Sequence, residues 1–576
     1  MTKPLVVYDG HCGFCKIWID YTKRLIGDAV EYSPYQELGP EFKKAVHLIF
    51  PNGEMMQGAE AVFRALAFAP GKKLPLWLYK SMPGFAPVTE LLYRIIAAHR
   101  DFGYKATTLL FGKEVYPQQF NAVAWLFEKS LALVYLSAFL SFAVQVTALI
   151  GSDGVSPIGL YLARASQALG ASAWLQVPTL LWIAHSNTAL HVLCWTGICS
   201  SIALLCGAVP RLMAVFLYVL YLSIVAAGQE FMSFQWDMLL LEAGFLAIFL
   251  GSSKRIVWLY RMLLFRLMLM SGTVKLLSGD PTWHNLTALN FHYQTQPLPT
   301  PVAWYAQHLP EWFQRFSVAS VFTIEILIPF LIFAPRRLRH FAAWSLILLQ
   351  ICILITGNYA FFNWLALAFC LFLFDDRALT KIIPARPRKT AVPAVIFGVI
   401  LLFGFAELYG NFMRRPLPLV STLMEFTAPF GIVNGYGLFA IMTTQRLEII
   451  IEGSNDGATW LAYEFPYKPG DVRRRPPWVA PYQPRLDWQM WFAALGNYRE
   501  NPWFVSLVAR LLHGSPDVLK LFAYNPFPEK PPARIRAVVY EYKFTDSETK
   551  RKTGAWWTRE PLGRYIPSIT LDDLQK

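Results

Sequence analysis

Charge is scarce in this sequence. Only 16% of its 576 residues are charged, against roughly a quarter in an average soluble domain, which argues against an ordinary soluble enzyme. Cysteine is scarce as well. Five of the seven, Cys194, Cys199, Cys206, Cys352 and Cys370, fall in apolar runs, where a thiol behaves as a small hydrophobe, so a small disulfide scaffold is excluded. No secretory signal is present: Lys3 is followed by Leu5-Val6-Val7-Tyr8 and then Asp9-Gly10, too short an apolar core. The N-terminus is therefore expected to stay attached and to begin in the cytosol. There is no glycine-rich phosphate loop, no nucleophile elbow and no nucleic-acid module. His185, His191 and His292 are too scattered for a metal site. Neither a metal, a cofactor nor nucleic acid is expected. At 55% hydrophobic, disorder, collagen and coiled coil are excluded too.

Long apolar runs are present instead. They fall at about Ser130–Ile150, Thr188–Gly207, Leu212–Ala227, Phe231–Leu250, Ile256–Leu277, Val318–Phe333, Phe341–Thr356, Tyr359–Phe374 and Ala391–Leu408. Read against the roughly 20 residues that a helical crossing needs, they predict about nine crossings, with an extra interfacial piece at Thr179–Ala184. One set of connections carries Arg211, Lys254, Arg255, Arg336, Arg337, Arg339, Arg377, Lys381, Arg386, Arg388 and Lys389, the other only Arg164 and Arg315. Basic residues favour the cytosolic side. This predicts a cytosolic N-terminus and an exported C-terminus, and it explains the net charge of +14 without nucleic acid.

The fold class expected is a multi-domain one. An α/β dithiol domain occupies 1–115, an α-helical polytopic membrane bundle 116–410 and an exported β-rich domain 411–576. In the first, Pro4–Tyr8 and Val46–Phe50 read as strands, and Cys15–Ile26, Gly58–Ala69 and Val88–His99 as helices. In the last, Arg446–Ile451 reads as a strand, Ser454-Asn455-Asp456-Gly457 as a turn and Trp460–Phe465 as a partner strand.

Cys12 and Cys15 form a Cys-x-x-Cys at a strand-to-helix turn. A thiol at a helix N-terminus is stabilised as thiolate by the dipole, and one a turn further in can resolve a mixed disulfide. Cys12 would attack and Cys15 resolve, with a thiol reductant or oxidant as partner. Half a zinc site, with His11, or two structural thiols are the alternatives.

Ionisable residues inside crossings are costly and usually pair or work. Counting depth at 1.5 Å per residue along an antiparallel hairpin places Glu242 level with Arg266 as a buried pair. Asp237, Lys275 and Glu325 fall in the outer third as a more accessible cluster. Such a cluster either fixes helix packing or forms a site in which Lys275 binds an anion or acts as a base. Tyr482, Arg485, Asp487, Trp488 and Trp491 make an aromatic, polar stretch. It is either internal core with an Arg485–Asp487 contact or a client-binding surface.

Three stretches resemble known families. Tyr8-Asp9-Gly10-His11-Cys12-Gly13-Phe14-Cys15, with Gly58-Ala59-Glu60-Ala61 and Tyr93-Arg94-Ile95-Ile96…Arg100, resembles the DCC thiol-disulfide oxidoreductase-like family over residues 1–110. That implies a thioredoxin-like fold and redox activity. Ser271-Gly272-Thr273-Val274-Lys275-Leu276, with Trp283, is similar to the lysine-bearing helix of the vitamin K-dependent carboxylase membrane domain. There the matching lysine is the active base, which implies a membrane enzyme modifying a peptide or lipid. Across residues 130–575 the chain resembles the lipase maturation factor family. The stretches that carry this are Phe234-Gln235-Trp236-Asp237, Leu241–Leu246, Trp283–Leu289, His292–Pro299, Thr356–Asn363, Tyr482–Phe492 and Asn525-Pro526-Phe527. That implies a factor in the lipid bilayer required for maturation of exported lipases. It would sit in a bacterial cytoplasmic membrane, or in the endoplasmic reticulum of a eukaryote.

Overall fold

The computed structural model describes residues 2–379, 390 and 392–574. Lys381, Arg386, Arg388, Lys389 and the start of the last apolar run at Ala391 lie outside the described residues. The chain divides into two compact units, one of residues 1–119 with 333–341 and one of 120–332 with 342–576.

The first unit is built on β1 (Leu5–Tyr8), whose unbroken apolar run Leu5-Val6-Val7 is buried because the strand is central. Helix α1 (Gly13–Ile26) leads to β2 (Glu31–Pro34), parallel to β1. Antiparallel β3 (His47–Ile49) and β4 (Met55–Gln57) complete the order β2-β1-β3-β4. This βαβ-plus-ββ mixed sheet is the arrangement that the thioredoxin-like expectation called for. Helices α2 (Gly58–Leu66), α3 (Leu74–Ser81), α4 (Phe85–Ala98) and α5 (Arg100–Leu110) follow. A Cβ on Gly13 would sit 3.0 Å from the Tyr104 ring, and one on Gly103 3.2 Å from the Phe14 ring. Two glycines thus let α1 and α5 touch.

The second unit contains most of the helices long and apolar enough to cross a membrane: α6 (Asn121–Ala143), α7 (Asn187–Cys206), α8 (Pro210–Ala227) and α10 (Lys254–Leu277), then α11 (Glu311–Phe322), running on by a π turn at Thr323–Leu327 to Phe333. With α12 (Arg336–Thr356) and α14 (Ala394–Met413), the described residues hold seven such helices. The expectation of about nine crossings is not confirmed by helices of this length. The Phe231–Leu250 run is a helix of 13 residues, α9 (Gln235–Ala247), and the Tyr359–Phe374 run centres on α13 (Phe362–Cys370). Each is shorter than the roughly 20 residues of a full lipid-exposed crossing. Both are apolar because protein covers them: Asp237, Glu242, Leu365 and Phe369 are fully buried. The Thr179–Ala184 piece is a single 3₁₀ turn, Leu180–Trp182, with Thr179 Oγ1 donating to the Ser223 carbonyl at 2.9 Å.

The C-terminal sheet is wholly antiparallel, in the order β6-β5-β7-β8. Its strands are β5 (Arg446–Ser454), β6 (Leu461–Ala462), β7 (Arg534–Phe544) and β8 (Trp557–Ile569). The expected hairpin is present, with Glu452 opposite Ala462. Asp456 Oδ1 accepts the Ala458 and Thr459 N–H groups at 2.8 Å to close its turn. This domain is docked on one end of the bundle through helix connections at that end. Asn358 Oδ1 accepts the Val479 and Ala480 N–H groups at 2.8 and 3.0 Å, and its Nδ2 donates to the Pro477 carbonyl at 2.9 Å. Arg446 donates to the carbonyls of Gln294 and Pro297 at 2.8 and 2.9 Å, and Trp304 Nε1 to that of Thr545 at 3.0 Å.

Candidate functional site

In the first unit Cys12 is the residue that caps α1. Its Sγ accepts the Cys15 N–H at 3.4 Å, which starts the helix at Gly13, two residues earlier than the sequence pattern alone places it. Both thiols are free and half-buried. Burial, then the hydrogen bond and charge of Cys12, push the Cys15 thiol up to about 12. The Asp9-Gly10 part of the motif braces this turn. Asp9 Oδ1 accepts the His11 N–H and Gln36 Nε2 at 3.0 Å, and its Oδ2 takes Arg100 Nη1 at 2.9 Å. Burial alone would raise the Asp9 carboxyl. The His11 N–H, Gln36 and Arg100 outweigh it and hold the group below its ordinary range. A Cβ on Gly10 would approach Pro34 Cβ to 2.8 Å, so the loop passes too close to the end of β2 for any side chain. Neither Tyr93 nor Arg100 has a role that sequence pattern alone assigns. Tyr93 Oη accepts the Val46 N–H at 2.8 Å at the head of β3, and Arg100 pairs with Asp9.

In the bundle, Glu242 is ion-paired to Arg266, as the depth reckoning along the helices placed it. The pair is wider than expected. Glu242 Oε2 also accepts the Tyr436 hydroxyl at 2.7 Å and the Asn434 N–H at 3.0 Å, while Arg266 Nη1 donates to the Asn434 carbonyl at 2.9 Å. No spacing rule reaches from residue 242 to residue 436, and nothing in Gly435-Tyr436-Gly437 signalled it.

The cluster of Asp237, Lys275 and Glu325 is not brought together as one group. Asp237 is taken by Arg485, whose Nη1 and Nη2 donate to its two oxygens at 2.9 and 3.0 Å, and by the Tyr221 hydroxyl at 2.5 Å. This fork-on-carboxylate geometry is the strongest ordinary form of an ion pair. Lys275 Nζ donates to Glu325 Oε2 at 2.6 Å and to the Ser271 carbonyl at 2.9 Å, with the Trp283 ring centre 5.4 Å away. The lysine is thus engaged by a carboxylate and a carbonyl rather than turned free toward a substrate, and the carboxylase-like reading is not favoured.

The stretch from Tyr482 to Trp491 is a joint. Arg485, on α15 (Arg485–Ala493), reaches Asp237 rather than Asp487. Asp487 Oδ1 accepts the Tyr467 and Lys468 N–H groups at 2.9 and 2.8 Å instead. Burial pushes the Asp487 carboxyl up to about 6 against those hydrogen bonds. Trp488 packs on Phe234, Trp236 and Tyr359, Trp491 Nε1 donates to the Thr295 carbonyl at 2.8 Å, and Tyr482 stacks obliquely on Tyr467. Arg485, Asp487, Trp488 and Trp491 are buried, and they hold the sheet domain to the helices.

Beside this joint lies a cavity of about 650 Å³ between α10, α11, α12 and the short helix Leu289–Thr295. Its walls are largely apolar, and Lys275, Glu325, His292 and Tyr359 are among the residues that line it. His292 Nε2 lies 3.1 Å from the Tyr359 hydroxyl, which itself donates to Gln296 Oε1 at 2.8 Å. The hydroxyl proton is thus committed, so Nε2 carries the imidazole proton and Nδ1 is left as a bare acceptor. Among the described residues no hydrogen-bond partner reaches Nδ1. Burial, and then the Lys275 charge, push His292 down to about 4, which keeps it neutral.

Comparison with known proteins settles the family. Residues 122–381 match the lipase maturation factor transmembrane domain, residues 432–567 the lipase maturation factor C-terminal domain and residues 6–105 the DCC1-like thiol-disulfide oxidoreductase. Lipase maturation factor 2 of Gallus gallus is 35% identical over 78% of this chain and 81% of its own length. Lipase maturation factor 1 of Homo sapiens is 36% identical over 78% of this chain and 88% of its own. This chain belongs to the lipase maturation factor family. It is a multi-pass membrane maturation factor carrying a DCC1-like domain at its N-terminal end. No solved structure matches it.

Proposed function

We propose that this family member matures exported lipase-like enzymes, with its sheet domain on the exported side and its dithiol unit in the cytosol. The supporting observation is the docking of the whole C-terminal domain on one end of the bundle by the buried Asp237–Arg485 pair and the Asn358 contacts. Arg211, Lys254, Arg255 and Arg377 lie in connections at the opposite end, where the positive-inside rule puts the cytosol. A domain locked to the exported end is in the right place to meet a folding client as it leaves the membrane. The client is an exported hydrolase, and the names of the relatives favour a lipase. The test is to delete the gene and compare exported proteins. A client loses activity while keeping its abundance, and unchanged activity of every exported hydrolase would end this reading.

The dithiol unit supplies a separate reaction on a thiol partner. The Cys12 thiolate attacks a partner disulfide, forming a mixed disulfide and releasing one partner thiolate. Cys15 then attacks Cys12 Sγ, forms the Cys12–Cys15 disulfide and releases the second partner thiol. Two electrons and two protons pass from the dithiol to the partner. Burial first, and then the hydrogen bond to Cys12, disfavour the Cys15 thiolate, and forming the mixed disulfide removes the second of these.

A further inference from the structure

We infer that the outward apolar stripes of α3 and α4, in the first unit, dock on an anionic lipid surface, with the basic residues beside them on the headgroups. This goes beyond the maturation reading and does not depend on who the client is.

Helix α4 is built inside out. Val88, Leu91, Leu92, Ile95 and Ile96 recur at helical spacing along one side, and each is 45–58% exposed. The polar residues turn the other way. Glu90 Oε1 accepts the Glu60 N–H, at the start of α2, and the Tyr79 hydroxyl, both at 3.0 Å, and Tyr93 takes the Val46 N–H. An ordinary surface helix shows water its polar side, and a large exposed apolar patch marks an interaction site. α3 repeats the pattern. Its Leu74 and Trp77 are 62% and 60% exposed, while Tyr79 turns to Glu90.

The charges say what meets this side. From residue 70 to residue 99 the charged residues are Lys72, Lys73, Lys80, Arg94 and Glu90. Glu90, the one acid, is taken by the two donors just named, whereas Lys73, Lys80 and Arg94 are exposed. A second copy docked here would set like charges against like. Phosphate headgroups supply the opposite sign, and the apolar side chains then enter the boundary between headgroups and acyl chains. Tryptophan is favoured at that depth.

The attachment of the unit supplies the surface. α5 ends at Leu110, and α6, long and apolar enough to cross a membrane, starts at Asn121. The connection reaches no further than about 40 Å when fully extended. Residues 333–341, which carry the turn from α11 into α12, also belong to this unit, and a Cβ on Gly112 would lie 4.0 Å from Arg337 Nε. The unit is therefore tethered to membrane helices at two places, and a tether raises the effective concentration of whatever surface lies within its reach.

The test uses the full chain in nanodiscs of phosphatidylcholine, with or without phosphatidylglycerol. A phosphatidylcholine tracer with a diazirine in its acyl chain is the probe. A nanodisc offers the same lipid on both faces, so the outcome does not depend on which compartment holds the unit. After irradiation, mass spectrometry of residues 74–98 should show tracer adducts, strongest with phosphatidylglycerol. Met55, 57% exposed on β4 beside Glu54, should carry none. Lys72→Glu combined with Lys73→Glu and Lys80→Glu should cut the adducts at least about fivefold, the scale of one basic residue near an anionic surface, with the melting temperature unchanged. The lipid-composition arm needs no variant. Absence of adducts, equal adducts without phosphatidylglycerol, equal labelling of Met55, indifference to the triple variant, or a dimer mass in place of adducts would each overturn the assignment.

Discussion

The dithiol turn and the bundle core handle polar groups in opposite ways. In the first unit Cys12 and Cys15 are both half-buried and free, on a helix start that favours negative charge. In the second, Glu242, Arg266, Asp237 and Arg485 are sealed from solvent and each charge is closed by an opposite one. Chemistry needs a group whose partner is missing until substrate arrives, whereas architecture needs one whose partner never leaves. Lys275 could be read either way in sequence and is built like the latter.

The most damaging way to test that contrast is to strip one partner from a closed pair. Arg485→Met leaves the Asp237 carboxylate buried against the Tyr221 hydroxyl alone. Stranding a buried charge in this way costs roughly 3–5 kcal/mol, enough to abolish the folded yield. Asp237→Leu combined with Arg485→Met should recover most of it, read as melting temperature and protease resistance in detergent. A double variant no better than the single would show that the joint does not depend on charge pairing. Glu242→Gln should be milder, because Tyr436 and Asn434 still find an acceptor at the amide oxygen, yet Arg266 loses its counter-charge. A loss on the order of 2 kcal/mol is expected for a charge-assisted bond reduced to a neutral one.

The opposite half of the comparison breaks differently. Cys12→Ser should end thiol exchange altogether while leaving the melting temperature within a degree or two, because serine can still cap α1. Cys15→Ser should instead accumulate the mixed disulfide, visible as a mass shift. Exchange surviving in Cys12→Ser would place the attacking thiol elsewhere.

The smallest expected effect concerns Asp487. Its folded carboxyl is raised to about 6 from an unfolded value near 4, so the folded state holds this proton more tightly. Its contribution to stability is therefore greatest below about pH 4, falls as pH rises from about 4 to 6, and is level above that. Asp487→Asn keeps an oxygen for the Tyr467 and Lys468 N–H groups, both of which meet Oδ1. It should flatten the pH dependence in that window, as measured by melts between pH 4 and 7. An unchanged slope would refute the assignment.

How far the sequence carried depended on the length of the pattern. Leu5-Val6-Val7 announced a buried strand, and the Gly58 and Val88 helices were periodic enough to see. β2 and β4 are four and three residues long, too short for alternation to register, and α5 is too polar on average for its apolar stripe to stand out. The Glu242–Arg266 pair was legible because both residues lie on neighbouring antiparallel helices, where depth can be counted along the axis. Asp237–Arg485 was not, since the partners are 248 positions apart and nothing local connects them. Apolar content also left the number of crossings open. α9 and α13 are as greasy as their neighbours because protein surrounds them, and hydropathy cannot tell a protein surrounding from lipid.

The same 248 residues set a clock on biogenesis. At roughly 5–20 residues per second of synthesis, Asp237 waits roughly 12–50 s for the arginine that neutralises it. Throughout that interval the ribosome has delivered a bundle with a lone acid at its rim and no means of closing it. A chain cut short anywhere before Arg485 would keep that blemish permanently. Quality control thus needs no special degron to recognise unfinished copies, for they carry an unpaired acid where a completed protein has none.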